Sequence, residues 1–353
     1  MTTYRNPFEG RSEPLPTELS GLGYRHEFAE LDGIVLSYLR GPEAGPPLVL
    51  VPAQMGTWTT YAKVMPALAE RFSVFVVELR GHGNSSWTPG NYSWDSVGGD
   101  LRLFLERMVG RPAVVSGNSS GGILALWLAA NAPGLVSGIV LEDAPVFSVE
   151  MPRFAERDRF VYNGLAHIVE VLGDRENRHL ADYFRGQGLP VSERRTKRMP
   201  GWFVDLLDRA ITRYEQRHPG QPSGVDAWWL PASMGELFRS LSMFDPDFAR
   251  AFVDRRFYGD FSHEAALRAV RCPLLLLHAN WHRYAEHGLV GAMDDDDARR
   301  VCALVPGAVY RRIPANHVIH RRRPEEFVRA IEEFIAEIRG VPVLDVPPDP
   351  HGR

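Results

Sequence analysis

Apolar and polar positions along the first 140 residues alternate between two periods. Residues 24–31 and 34–40 change character every second position around Asp32-Gly33, which predicts a β-hairpin. Residues 46–51 (PPLVLV), 72–78 (FSVFVVE), 113–116 and 136–141 are short apolar runs, as expected of strands buried on both faces. Between them lie helical patterns at 61–70, 100–108 and 122–130. The second of these aligns Leu101, Phe104, Leu105 and Met108 on one face.

The rhythm breaks from about residue 147 to 263. That stretch has no comparable strand, only amphipathic helical segments separated by Pro and Gly, and it is too long for a loop. The α/β alternation then returns, with strands at 272–278 (CPLLLLH) and 308–313 and helices at 294–304 and 324–338. The fold class that follows is α/β: a mostly parallel sheet covered by helices on both faces, with a helical cap inserted between the sixth and seventh strands. The expected divisions are 1–146 for the first part of the core, 147–263 for the cap, 264–340 for the second part of the core and 341–353 for a loose, Pro-rich tail.

Composition narrows the function without naming it. The 353 residues are 44% hydrophobic and 24% charged, with a formal net charge of −4. This suits a globular protein and lacks the basic excess of a nucleic-acid binder. The first 22 residues lack the pattern of a secretory signal, and no window approaches the ~20 apolar residues of a membrane span. Cys272 and Cys302, both assigned to core elements, cannot form a disulfide framework. The expectation is a cytoplasmic protein with neither nucleic-acid nor membrane partners and an undetermined oligomeric state.

The chemistry gathers where strands end. Gly117-Asn118-Ser119-Ser120-Gly121 satisfies G-x-S-x-G between a buried strand and a helix. The glycines leave room for a sharp turn, and the helix N-terminus favours developing negative charge at Ser119. Ser119 is the candidate nucleophile, and the Ser120 backbone N–H is placed to meet an oxyanion. The plain alternative is a Gly/Ser-rich connection with no chemistry.

These residues resemble the α/β-hydrolase superfamily over about residues 24–339 apart from the insert. Glu78-Leu79-Arg80-Gly81-His82-Gly83-Asn84-Ser85 carries the likeness further, as a D-x-R-G-H-G-x-S turn with Glu for Asp. His82 there is structural. The resemblance places the general base at His317, in Pro314-Ala315-Asn316-His317, with Asn316 where Gly is usual; an imidazole can take the serine proton and return it to the leaving group. His320 is the rival, read as capping or packing against the closing helix.

The acid departs from the commonest pattern. After the seventh strand the expected carboxylate position is Asn280, and the later carboxylates Glu286 and 294–297 are poorer candidates, the latter run reading as a helix N-terminus. Asp143, 24 residues after Ser119 at the end of the sixth strand, is the preferred acid, and Glu142 the alternative, because successive side chains point to opposite faces. In place of the family's His-Gly, the oxyanion loop reads Pro52-Ala53-Gln54-Met55-Gly56; Gln54 N–H is the candidate donor and Ala53 the second choice.

The resemblance implies a serine hydrolase that cleaves a carboxylic ester or lactone of a medium-sized, largely apolar or aromatic small molecule. No metal or organic cofactor is called for. Within the insert, Trp228, Trp229 and Leu230 are the candidate substrate contacts. The Val-Pro start of the oxyanion loop and an acid after the sixth strand are similar to zearalenone-type lactonases. Other chemistry on the same fold (carbon–carbon hydrolysis, perhydrolysis, hydroxynitrile cleavage) and a ligand-binding receptor without turnover are the alternatives.

Overall fold

A computed structural model describes residues 5–174, 178–193, 195–228 and 230–340. Eight strands form one sheet: β1 Arg25–Leu31, β2 Ile34–Arg40, β3 Pro47–Val51, β4 Ser73–Val77, β5 Ala113–Asn118, β6 Val136–Glu142, β7 Leu274–His278 and β8 Val309–Arg312. Their spatial order is β1-β2-β4-β3-β5-β6-β7-β8. The β1–β2 and β2–β4 pairs are antiparallel, and every pairing from β4 to β8 is parallel.

The apolar runs bury because both faces of the sheet are covered. Val49 and Val51 of β3 join one core, while Leu48 and Leu50 join the other. The helix Ser120–Asn131 follows β5 and is buried from Ser120 through Ala129, so it carries no polar stripe.

Two helices differ from their sequence patterns for local reasons. Residues 61–70 divide into a 3-10 turn, Trp58–Tyr61, and a short helix, Met65–Ala69. Pro66 has no N–H to continue the first and suits the opening of the second. The helix expected at 100–108 begins earlier, at Trp94, behind a Ser93–Ser96 capping box. Gly98 obscured that start. It is needed because a Cβ there would lie 2.4 Å from the Trp127 ring.

Between β6 and β7 run the helices Arg159–Leu172, Gly201–Arg217, Ala232–Ser242 and Pro246–Val253. The insert is not wholly helical, however. Gly188–Ser192 pairs antiparallel with Arg195–Arg198, a hairpin hidden from the pattern by its irregular register and its polar second strand. A second small hairpin, His282–Tyr284 with Gly288–Val290, follows β7. Cys272 and Cys302 are free and half-buried rather than in the core. The segment 341–353 lies outside the described residues, and no helix among those described is long and apolar enough to cross a membrane.

Candidate active site

The ends of β3, β5, β6, β7 and β8 converge on a cavity of about 480 Å³ whose lining includes Gln54, Ser119, Ser120, Asn280 and His317. Parallel strands bring their carboxyl ends to one rim, which is why residues distant in sequence meet there.

Ser119 sits between β5 and its helix at φ 54°, ψ −123°, a conformation that costs about 1–3 kcal/mol in a non-glycine residue. Its surroundings enforce the strain. The Ser119 N–H donates to the Glu142 carbonyl at 3.0 Å, and the Ser119 carbonyl accepts from Gly122 N–H at 2.9 Å. The neighbouring glycines are required by contact: a Cβ on Gly117 would lie 2.1 Å from Gly121, and one on Gly121 2.3 Å from the Val51 carbonyl oxygen.

At the end of β6 the chain turns through Asp143, at φ 42°. The Asp143 carboxylate is buried. Oδ1 accepts the Ala279 N–H at 3.0 Å, and Oδ2 lies 2.7 Å from His317 Nδ1. Burial of the imidazole disfavours its cation, but the hydrogen bond and charge of Asp143, aided by the charge of Glu142, outweigh this and raise the His317 pKa above 6.5. With Nδ1 engaged, Nε2 is the ring atom left to exchange a proton in the cavity. Ser119 and His317 share that cavity, and no hydrogen bond joins them directly.

Glu142 faces the other way, as strand alternation requires. Its carboxylate accepts the His320 backbone N–H at 2.9 Å and holds His320 Nδ1 at 2.8–2.9 Å. Both side chains are buried, and the His320 ring stacks on Tyr61 at 4.0 Å between centroids. The rival histidine and the alternative acid thus pair with each other, away from the cavity. The Asn118 side chain ties these parts together: its Nδ2 donates to the backbone carbonyls of both Glu142 and His317.

Gln54 lines the cavity, and its N–H has an acceptor there, Ser120 Oγ at 2.8 Å. Ser120 N–H opens the helix and so lacks an intrahelical partner. Asn280 is exposed in the cavity wall, and its backbone N–H bonds to the Ala315 carbonyl at 2.9 Å. His82 is buried against Phe244 and Phe248, and burial pushes its pKa down to about 4, so it is a neutral packing residue.

The substrate contacts expected of the insert are corrected. Trp228 is 95% exposed and, like Leu230, is not part of the cavity wall; Trp229 lies outside the described residues. The apolar wall comes instead from Phe154, Phe160, Leu165, Phe252, Trp94 and Leu289, among others. In the sequence Phe154 and Phe160 are two among many large apolar groups of the insert, with nothing local to single them out. Trp94 and Leu289 had no local signal, because they reach the site only through the packing of the sheet's upper rim.

Comparison with known proteins bears on the family and the fold. The chain is 31% identical over 121 residues to a mouse (Mus musculus) sn-1-specific diacylglycerol lipase, a match covering 33% of this chain and 39% of that protein. It is 23% identical over 333 residues to a Burkholderia fluoroacetate dehalogenase, covering 90% and 95% of the two chains. The first of these matches therefore spans well under half of its relative's length. Among solved structures, carboxylesterase CesB from Bacillus subtilis superposes with a TM-score of 0.62 at 15% identity, covering 91% of this chain and 95% of that one, which speaks to the fold. A sequence model of the Alpha/beta hydrolase family matches residues 48–330, and the chain belongs to that family.

Proposed function

We propose that this protein is a serine hydrolase that cleaves a carboxylic ester or lactone, with Ser119 as nucleophile, His317 as general base and Asp143 as the acid orienting it. The observation that carries the reading is the 2.7 Å Asp143–His317 contact in the same cavity as a serine held in a strained strand-to-helix turn.

The chemistry follows from these positions. His317 Nε2 takes the Ser119 proton as Oγ attacks the carbonyl carbon, and the imidazolium is stabilised by Asp143. The tetrahedral oxyanion takes the Ser120 N–H and, after its exchange from Ser120 Oγ, the Gln54 N–H. The imidazolium then protonates the departing alkoxide. Water, deprotonated by His317, attacks the acyl-enzyme and frees the acid and Ser119. In a lactone the alkoxide and the acid belong to one molecule. Halide displacement does not fit, because attack by Ser119 would leave a stable alkyl ether rather than a hydrolysable ester.

Residues 147–263 would form the cap that shapes substrate choice, since Phe154, Phe160, Leu165 and Phe252 all face the cavity. Its size and mainly apolar wall suit a medium-sized aromatic or aliphatic substrate. A macrocyclic aryl lactone of the zearalenone type falls within that class.

Labelling with a fluorophosphonate followed by peptide mapping tests the assignment. Wild type should carry the label on Ser119, Ser119→Ala should carry none, and His317→Ala and Asp143→Asn should label far more slowly. Asn280→Ala should label like wild type. A folded wild-type protein that takes no label would overturn the proposal and favour a ligand-binding role.

A further inference from the structure

We propose that the hairpin Gly188–Ser192/Arg195–Arg198 is a peripheral docking surface for an anionic phospholipid bilayer, set at the rim of the cavity. The hairpin has two unlike faces. Pro190 is buried, and Thr196 Oγ1, on the strand position opposite it, contacts His287 Nε2 at 3.4 Å, so this face rests on the body of the protein. Leu189 and Lys197 are a cross-strand pair pointing outward. Leu189 is 55% exposed and Val191 46%, and Arg195, Lys197 and Arg198 are all exposed. Four residues past the hairpin, Trp202 opens the helix Gly201–Arg217 with 69% of its surface in solvent.

The charge on this surface is local. Residues 194–198 read RRTKR, four cations in five positions of a chain whose net charge is −4. Among the described residues, Arg195, Lys197 and Arg198 form no ion pair, whereas Arg153, Arg185, Arg256 and Arg283 are all paired with carboxylates. Cations interleaved with exposed Leu, Val and Trp match the two components of a membrane interface, anionic headgroups outside and acyl chains beneath. A nucleic acid or an acidic protein would use the cations and leave the aliphatic side chains unrewarded.

Leu189 gives the surface a purpose. It lines the cavity while more than half exposed, and Val161, also in the lining, is 40% exposed, so both stand where the cavity meets solvent. A bilayer held against the hairpin would present lipid-dissolved substrate at that opening. This consequence rests on the hydrolase reading; the docking itself does not. It also departs from the expectation of no membrane partner, which rested on the lack of a spanning segment in the sequence.

Co-sedimentation of the full chain with phosphatidylglycerol and phosphatidylcholine vesicles tests the docking, with turnover of a soluble aryl ester measured in parallel. Binding should be at least about tenfold tighter to phosphatidylglycerol and should weaken in high salt. The triple variant Arg195→Glu/Lys197→Glu/Arg198→Glu should lose the preference yet hydrolyse the soluble ester like wild type. Val191→Ser/Trp202→Ala should bind several-fold more weakly. Equal affinity for both vesicles, no binding, or an unchanged triple variant would overturn the proposal. Undiminished binding by Val191→Ser/Trp202→Ala would also overturn it, by reducing the surface to a simple cation exchanger. Wild type that binds vesicles without turning over the ester would instead overturn the hydrolase reading alone.

Discussion

Glu142 and Asp143 are consecutive carboxylates that hold two different histidines three residues apart, Glu142 gripping His320 in the core and Asp143 gripping His317 in the cavity. The arrangement turns one strand end into a double clamp on the segment that carries the proposed base. Under the proposed mechanism it separates a role in stability from a role in chemistry at adjacent positions, and substitution can tell them apart.

Removing the buried clamp should act mainly on stability. Glu142→Ala leaves His320 Nδ1 and its backbone N–H without partners in the interior, a loss of the kind that costs about 3–5 kcal/mol. Thermal unfolding should begin several degrees lower than in wild type. Asp143→Asn should melt much closer to wild type while losing about 10⁴-fold in kcat, as expected when the base loses its orienting charge. Differential scanning calorimetry paired with ester turnover would distinguish the two.

The pH profile should carry the signature of the second clamp. His317 must be neutral to accept the Ser119 proton, and although burial opposes its cation, Asp143 and Glu142 hold its pKa above 6.5. The rate should therefore rise with pH through that elevated value. In Asp143→Asn the acid limb of kcat/KM should move to lower pH. The same raised pKa acts on stability in the opposite sense: what the His317–Asp143 pair contributes is fully present below the unfolded histidine's pKa and is lost as pH rises through the folded value. A limb that stays put in the variant would detach Asp143 from the base.

The elbow should tolerate no side chain at Gly121. A methyl group there would meet the Val51 and Pro52 carbonyl oxygens at 2.3 and 2.7 Å, and both are backbone atoms that cannot swing aside. Gly121→Ala should lower stability by about 3 kcal/mol or yield insoluble protein. Soluble protein with an unchanged melting temperature would show that β3 and the elbow can separate.

Ser120→Ala should change the rate far less than Ser119→Ala. The Ser120 hydroxyl accepts the Gln54 N–H in the resting site, and its loss frees that donor without removing it. A change in kcat of under about tenfold is expected, against the 10²–10³-fold typical of deleting an oxyanion donor. A larger loss would mean that the hydroxyl itself reaches the substrate.

Arg153 joins the start of the insert to the core. Its guanidinium makes two 2.6 Å bonds to Asp297, in the helix Asp295–Leu304, and a third to Asp158. Arg153→Ala leaves Asp297 half-satisfied near the core and should cost about 3 kcal/mol. It should also raise KM more than it lowers kcat, because Asp158 and Phe154 of the same segment line the cavity.

The sequence by itself determined what depends on neighbours in the chain. Period-two and apolar runs identified the eight sheet strands, because burial on one or both faces imposes those patterns directly. The glycines around Ser119 marked the elbow partly for the same reason: the contact that excludes a Cβ at Gly117 is with Gly121 and Gly122, whereas the one at Gly121, with Val51 and Pro52, is tertiary. The choice between Glu142 and Asp143 was narrowed by alternation along a strand, which is also local.

Only the tertiary structure decided what depends on distance. That Asp143 meets His317, 174 residues away, follows from the order β5-β6-β7-β8 and not from either segment. The aromatic residues of the insert were equally apolar on paper, and packing alone sent Phe154 and Phe160 to the cavity and Trp228 to solvent. The hairpin at 188–198 was hidden as well, since its strands are short, bulged and polar on one face, and a strand that buries almost nothing leaves no hydrophobic period to read.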